Sequence, residues 1–445
     1  MLPVMTTARA RDQRTARGPA GDAPAAGAGG DWSYWRVLRS GRLGVLLGGS
    51  LISSVGNGMI ISALPLLALQ IRDRLPAGLA IAIVQASPVV LAAALALILG
   101  LTRLRLPPRG VLLTDSALRA SVFIAIDVLS VTGTLTLWLL VTVLAVGSVF
   151  QIASMSSRRL LATGMAGPNG QLAVNGLLAT SASLAAYMIG PVVGGVVSTV
   201  ASPGVALITD GLTFVAMLAA AYLAVPGRAR LAAGAARPAA SAARSASGLR
   251  ILRGTPAAAG LFVVVFWFDL LYMPVEVALP LLVHGPLHGN GAALGVIWSG
   301  FGAGAVLGGM GTIWLRRIPR QRLLVAIIAA WAGAVLLLAA APSVFFAAAA
   351  FFLGGLIYAP FTPTAYTFVQ SLLTPDEQQP VVTLWAAGAV LAGPVGLALA
   401  GPLVTAAGAR GGLVASGLAT IALVPLAGHG LRRGSPAAPD QGASG

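Results

Sequence analysis

Uninterrupted apolar segments of roughly twenty residues or more make up most of this chain. An α-helix of that length crosses a hydrocarbon core of about 30 Å, and it satisfies its own backbone hydrogen bonds there. Only 9% of the residues are charged, against about a quarter in a soluble domain, so the chain cannot cover itself with polar surface. We therefore expect an all-α membrane protein whose environment is the lipid bilayer.

Twelve segments qualify as transmembrane helices, and we number them as spans 1 to 12. They cover residues 43–71, 77–102, 111–133, 134–156, 172–199, 203–225, 257–283, 292–315, 322–341, 343–372, 381–407 and 411–429. Because the number is even, both ends of the chain are expected on the same side of the membrane.

The arginines fix which side that is. All 28 basic residues are arginine, and 24 of them lie in the N-terminal tail, the loops after even-numbered spans and the C-terminus. Cytoplasmic loops carry such an excess, so both termini are predicted to be cytoplasmic in an inner (plasma) membrane. The same distribution explains the net charge of +16 without a nucleic-acid partner.

The longest internal loop divides the spans six and six. Residues 226–256 are rich in Ala, Arg, Ser and Pro, a composition typical of a linker, and we predict that they lie in the cytoplasm. The segments on either side, 42–225 and 257–429, are predicted as six-helix bundles. Residues 1–41 are expected to form a disordered cytoplasmic tail, and 430–445 a second tail.

Two sequence matches indicate that the two halves are repeats. Residues 63–67 and 278–282 both read ALPLL, at an offset of 215. Residues 104–113 match 315–324 at six of ten positions, at an offset of 211.

A third match lies near the end of each half. Gly195 and Thr199 align with Gly401 and Thr405 at an offset of 206. Three matches in the same order predict parallel repeats related by an axis along the membrane normal, with a substrate site between them near the bilayer midplane.

Seven short motifs lie in order along the chain, at residues 53–58, 63–65, 114–120, 190–195, 209–210, 359–363 and 375–377. Together they resemble motifs of the major facilitator superfamily, in particular of the bacterial exporters of the enterobactin-exporter and macrolide-efflux type. The resemblance implies two pseudo-symmetric six-helix bundles that work by alternating access.

Two positions depart from the pattern of this branch. Asn57 stands where relatives often carry an acid in span 1. The loop after span 2 keeps Arg105, a gating residue by resemblance, but lacks the acidic member of that latch.

An acidic side chain at the centre of a span costs about 2.5 to 3.5 kcal/mol to insert into the membrane, so each one is expected to have a partner, a water-filled cavity or a function. Asp269 and Glu276 lie seven residues apart on span 7, on nearly the same helix face, and Pro274 interrupts the helix between them. A desolvated carboxylate can take up and release a proton as a cavity opens to either side, so both are candidates for proton coupling. Packing against a neighbouring helix is the structural alternative.

Three further acids lie within spans, and a structural role is expected for each beside any function. Asp115 and Arg119 are four residues apart, so they can pair on one helix face, as an ion pair or as part of a gate. Asp127 is a further proton-coupling candidate, and Asp210 is expected to accept hydrogen bonds from neighbouring threonines.

A glycine-proline motif in span 5 comprises Gly190, Pro191, Gly194 and Gly195. By resemblance it is part of a motif of antiporters. Tight helix packing and a proline bend would select the same residues.

Large side chains on spans 7 and 10 are candidates for the wall of the substrate cavity, together with Asn57. They are Phe266, Tyr272, Met273, Tyr358 and Phe361. Such residues suit a lipophilic compound, including a cationic or an aromatic one, and contact with lipid is the alternative for most of them.

We therefore predict a secondary transporter that exports a small hydrophobic drug or metabolite in exchange for protons. Uptake, uniport and a transport-inactive sensor remain alternatives. No enzyme motif, ATP-binding motif or cysteine occurs in the chain, so we expect no catalysis, cofactor or bound metal, and a monomer.

Overall fold

The computed structural model describes residue 37 and residues 39–102, 106–225, 241–315 and 317–432. The described residues form fourteen α-helices and no β-strand. In chain order, α1 to α14 are Gly41–Ile71, Ala77–Thr102, Pro108–Val131, Leu137–Gly147, Gln151–Leu184, Gly190–Val200, Pro203–Ala224, Ser241–Gly254, Pro256–His284, Gly291–Leu315, Arg320–Ala340, Val344–Tyr358, Phe361–Ser371 and Pro375–Arg432. The predicted all-α class is confirmed.

Ten helical segments of the described chain are long and apolar enough to cross a membrane. Large apolar side chains such as Val200, Leu223 and Phe345 are exposed on them, as lipid contact requires. The chain is therefore a multi-pass membrane protein.

Two features explain why ten segments meet this description although twelve spans were predicted. α14 is one segment by length, but Gly408 has φ 73° and breaks it in two. α3 carries Arg109, Asp115, Arg119 and Asp127, too many charges for an ordinary apolar span. The number twelve itself stays a prediction.

The predicted end of span 4 at residue 156 is too early. α5 continues without interruption to Gly167, where φ 68° marks a kink before the helix resumes. Arg158, assigned from the sequence to a loop, therefore lies within a helix. The physical reason is that its guanidinium finds a partner inside the protein, as described below, so its charge does not end the span.

The second part of the predicted linker is helical. α8 packs on the start of α14, where Gly248 lies against the carbonyl of Pro380, and Leu252 is buried. Residues 226–240 lie outside the described residues, as do Arg105 and the tail residues 1–36 and 433–445.

Buried apolar side chains separate into groups that follow the chain. We call residues 37–225 the N-terminal half and 241–432 the C-terminal half. Two buried clusters consist of N-terminal residues alone, whereas the third is C-terminal apart from Leu66, Ile81 and Ala82. The halves thus have their own cores and share little buried apolar surface.

Candidate functional site

The first contact between the halves joins α6 to α10. A Cβ atom on Gly195 would overlap the carbonyl oxygen of Gly291, and one on Gly295 would overlap that of Pro191. The Thr199 hydroxyl accepts a hydrogen bond of 2.9 Å from the backbone N–H of Ala292. Glycine is required here because the two backbones touch, as in other close helix contacts within membranes.

The second contact joins α2 to α14 and repeats the first. A Cβ atom on Gly78 would lie 2.9 Å from the hydroxyl of Thr405 and 3.0 Å from the carbonyl of Gly401. Gly401 and Thr405 are the residues that align in sequence with Gly195 and Thr199. The sequence repeat therefore marks equivalent places where the halves meet.

We call these two contacts the outer seam, after the predicted side of the membrane on which they lie. Both are at the end of the molecule where α1 ends at Ile71 and α9 ends at His284. With the seam closed, the described halves are joined at this end.

A bulky side chain in the seam is expected to open it. A Cβ atom at Gly295 would overlap the carbonyl oxygen of Pro191, whereas one at Gly309 in the same helix meets nothing within 4 Å, so leucine is expected to disrupt the contact only at position 295. Since the chain has no cysteine, Ser198→Cys provides a single thiol beside the seam. In intact cells, an impermeant maleimide should label this thiol faster in Gly295→Leu than in Gly309→Leu. Equal labelling rates would contradict the assignment of the seam.

Proline at position 191 reshapes the helix just below the seam. Lacking an N–H, Pro191 leaves backbone carbonyls of the preceding turn without their helical partner, and Ala185–Ile189 form a π-helical turn. The other half takes up these carbonyls: Ser299 donates a hydrogen bond to the carbonyl of Met188, and Gly302 approaches that of Tyr187. The π-turn thereby fixes Tyr187 at the boundary between the halves.

An aromatic cluster fills the C-terminal half opposite this turn. Tyr358 lies 5.3 Å from Trp331, 5.8 Å from Tyr272 and 5.8 Å from Phe268, between ring centroids. Phe301 lies 6.1 Å from Tyr358 and 6.4 Å from Tyr187, so the cluster reaches the N-terminal half. Trp331 and Phe268 are buried, whereas the three tyrosines are partly accessible.

The two acids of α9 face this cluster. Tyr272 lies one helical turn before Glu276, and Glu276 interacts electrostatically with Tyr272, Tyr187 and Tyr358. Asp269 interacts with Tyr358 and with Tyr366. Both residues are half-buried.

The other predicted cavity residues differ in their surroundings. Phe361 is buried, with its ring centroid 4.5 Å from that of Phe268. Met273 packs on Gly396 of α14, and Phe266 lies half-buried beside Trp267. Of the predicted cavity residues, Tyr272 and Tyr358 interact with the acids of α9. Phe361, Met273 and Phe266 contact other apolar residues instead.

A separate polar network ties the N-terminal half together. Asp115 and Arg119 form an ion pair of 3.3 Å, and both are buried. Arg119 also donates to the side-chain oxygen of Asn57 at 3.2 Å. Arg158 donates to Ser50 at 3.0 Å and interacts electrostatically with Asp115. Asn57 is thus held by an arginine of its own half, and a contact between Asn57 and substrate stays a prediction.

Asp210 is fully buried next to this network. Its Oδ1 atom accepts a hydrogen bond of 3.1 Å from Thr213, rests on the backbone of Gly56, and the carboxyl feels the charge of Arg119. Its Oδ2 atom has no hydrogen-bond partner within the described part of the chain. The predicted threonine contact is made by Thr213, whereas Thr209 bonds to its own helix.

Asp127 lies away from both groups. Its carboxylate is near Gly204, in the first turn of α7, where the helix dipole favours a negative charge. Its candidacy for proton coupling therefore gains no support from its position. Among the described residues, no three His, Asp or Glu side chains are placed to hold a metal ion.

Three residues that sequence reasoning missed belong to these groups. Tyr187 follows a Ser- and Ala-rich stretch of span 5, and no sequence pattern links it to Glu276. Trp331 is the one aromatic residue of α11, whereas Phe301 shares α10 with Trp298 and Trp314, and neither helix has a pattern that links these residues to α9. Pro191 was the one available signal, because it predicts a bend.

Comparison of the whole fold with solved structures places these features in context. The nucleoside transporter NupG superimposes with a TM-score of 0.73 at 12% identity, over 88% of this chain and 99% of that one. The chain has the major facilitator fold. An auto-inhibited peptide transporter of the POT family also matches this fold, with a TM-score of 0.65 at 11% identity over 90% of this chain and 99% of that one.

At the level of sequence, the major facilitator resemblance is confirmed by a curated relative. The multidrug efflux pump Tap of Mycolicibacterium fortuitum is 26% identical over 397 residues, which is 86% of this chain and 94% of that protein. No protein-family model matches the chain.

Proposed function

We propose that this protein exports small hydrophobic compounds across the plasma membrane in exchange for protons. The observation that carries the proposal is the pair of acids on α9, Asp269 and Glu276, accessible beside an aromatic cluster at the boundary between the halves. Similarity to a protein named as a multidrug efflux pump supports export. No chemical change of the compound is required, so the protein acts as a carrier.

Protonation of these acids couples proton transfer to the movement of the halves. A charged carboxylate in the membrane interior is costly, so closure around it is favoured once a proton or a cation neutralises it. Each ligand shifts the equilibrium between conformations by its difference in affinity for them. Proton uptake from the outside and compound binding from the inside would therefore drive the cycle in opposite senses.

The proposed orientation has both termini in the cytoplasm. It rests on the arginine distribution, which places 24 of 28 arginines on the side of the tails. The outer seam then faces away from the cytoplasm, and its closure suits a state that receives compounds from the inside.

Uptake or uniport is the second candidate, and Asn57 is the observation that favours it. An amide in place of an acid removes one site that could carry a proton in the N-terminal half, and the structure pairs Asn57 with Arg119. A transport-inactive sensor would bind compounds without moving them.

Reconstituted liposomes distinguish these functions. We expect a proton gradient to drive accumulation of a neutral dye, Nile red, or a cationic dye, ethidium, in vesicles with an acidic interior. Nigericin should abolish the effect by collapsing the gradient, and protein-free liposomes serve as the control. Flux that is indifferent to the gradient would favour uniport, and binding without flux would favour a sensor.

A further inference from the structure

One face of the helix α8 is docked on the rest of the protein. Gly248 lies so close to α14 that an added Cβ atom would be 2.6 Å from the carbonyl oxygen of Pro380. Leu252, four residues further and therefore on the same helix face, is buried. The docked face is small and apolar, and it fixes the direction in which the opposite face points.

The opposite face of α8 carries Leu249, Arg250 and Arg253. Leu249 is 46% exposed, and both arginines are exposed as well. At 3.6 residues per turn, the three positions lie within about 100° of the helix circumference, so they form one surface. We call these three residues the basic face of α8.

The two arginines of the basic face have no partner in the described part of the chain, where neither forms an ion pair or a hydrogen bond. The sequence contains no acidic residue between Asp210 and Asp269, so no neighbour along the chain neutralises them. Glu377, at the start of the helix on which α8 docks, accepts hydrogen bonds from Thr374 instead. The positive charge is therefore available to a partner from outside the protein.

The position of α8 indicates the chemistry of that partner. α8 ends at Gly254, and α9 begins two residues later at Pro256 as a helix long and apolar enough to cross the membrane. α8 therefore lies at the membrane surface, at the end of the molecule opposite the outer seam. Basic residues of a helix at this level attract the phosphates of anionic lipids, and an exposed leucine enters the apolar layer beneath the headgroups.

We propose that the basic face of α8 binds anionic phospholipids of the adjacent leaflet, which is the cytoplasmic leaflet in the proposed orientation. The lipid phosphates lie against Arg250 and Arg253, and Leu249 lies at the start of the acyl chains. This inference goes beyond the proposed function, and it depends neither on the exported compound nor on the coupled proton.

Lipid bound to this face holds a helix that lies between the halves. α8 contacts α2 of the N-terminal half as well as α9 and α14 of the C-terminal half. It thus crosses the boundary between the halves at the end opposite the outer seam. Anionic lipid that keeps α8 in this place stabilises the conformation in which the outer seam is closed.

A single fluorophore beside the basic face tests the proposal. The chain has no cysteine, and a Cβ atom on Gly254 meets nothing within 4 Å, so Gly254→Cys provides one thiol for an NBD label at the end of α8. The labelled full-length protein is placed in phosphatidylcholine nanodiscs that contain a small fraction of nitroxide-labelled lipid. The nitroxide quenches NBD, and the labelled lipid is either phosphatidylglycerol or phosphatidylcholine. We expect quenching to show at least about threefold enrichment of phosphatidylglycerol at the label, because each arginine adds to the attraction.

Matched pairs of substitutions locate the binding surface. Arg250→Gln combined with Arg253→Gln should abolish the enrichment. Arg250→Lys combined with Arg253→Lys should keep it, because the attraction depends on charge. The control combines Arg317→Gln with Arg320→Gln, which removes the same charge from exposed positions between α10 and the first turn of α11. This control should keep the enrichment.

Three results would overturn the proposal. Equal quenching by the two lipids in the otherwise unchanged protein would leave the basic face to a soluble acidic partner. Enrichment that survives the glutamine pair in α8 would place the bound lipid elsewhere. Equal loss in the α8 pair and in the control pair would mean that the whole basic surface attracts the lipid. Loss in the α8 glutamine pair alone supports the assignment to α8.

Discussion

Replacing Glu276 by glutamine is expected to lower proton-driven transport by more than about tenfold. Glutamine has nearly the same shape and keeps the contact with Tyr272, but it cannot take up a proton. Glutamate changes its charge when it binds a proton, whereas glutamine stays neutral, so a proton gradient can no longer change the charge at this position. Initial rates of dye accumulation in liposomes, with and without a proton gradient, measure the effect.

The variant Asp269→Asn distinguishes the contributions of Asp269 and Glu276 to proton coupling. If Glu276 carries the coupled proton alone, Asp269→Asn keeps most of the gradient dependence, and if the two act together it loses it. Glu377→Gln makes the same chemical change at the N-terminal cap of α14 and should transport like the wild type. Full gradient dependence in Glu276→Gln would exclude this residue from proton coupling.

Removal of the Arg119 guanidinium is expected to cost about 3 to 5 kcal/mol of stability. Arg119→Ala leaves Asp115 buried without its ion-pair partner, and it also removes the contacts with Asn57 and with the ring of Phe214, 5.0 Å from the guanidinium carbon. Unfolding of the purified protein in mixed micelles, followed by circular dichroism, measures the loss.

A double-mutant cycle shows whether the ion pair is the cause. Adding Asp115→Ala to Arg119→Ala should restore part of the stability, because the unpaired carboxylate is then gone. Arg320→Ala, at an exposed position at the start of α11, is the control and should change stability little. Strictly additive effects at 115 and 119 would mean that the pair contributes nothing beyond its separate contacts.

The buried charges are arranged differently in the two halves. The N-terminal network compensates its own charges, with arginines beside acids, and so holds α1, α3, α5 and α7 together. By contrast, the sequence around the two acids of α9 contains no arginine between Arg253 and Arg316.

Much of this organisation could be read from the sequence, because the membrane imposes strong local rules. Apolar length gave α2 its observed bounds and α9 its bounds within one residue at each end. The alignment of Gly195 and Thr199 with Gly401 and Thr405 identified equivalent residues of the two halves. The spacing of Asp269 and Glu276 placed them on one helix face before any neighbour was known.

The tertiary structure decided what each of these residues meets. Arg158 looked like a loop residue because the hydrophobic pattern stops there, but a hydrogen bond to Ser50 and the charge of Asp115 keep it inside the bundle. Asn57 looked like a cavity residue because of its place in a family pattern, yet Arg119 holds it. Partners more than sixty or a hundred residues apart leave no periodic trace in a single sequence, so neither pairing could be predicted.

Tyr187 shows the same division most clearly. The sequence fixes that proline follows it at position 191, and therefore that the helix must bend and free backbone carbonyls. Only the packing of α10, through Ser299 and Gly302, decides that those carbonyls contact the other half and that the Tyr187 ring lies edge-on to Phe301. The missing N–H of a proline is a covalent property that the sequence alone specifies. Which groups then bond to the freed carbonyls depends on the helix that packs alongside, and only the tertiary structure shows that helix.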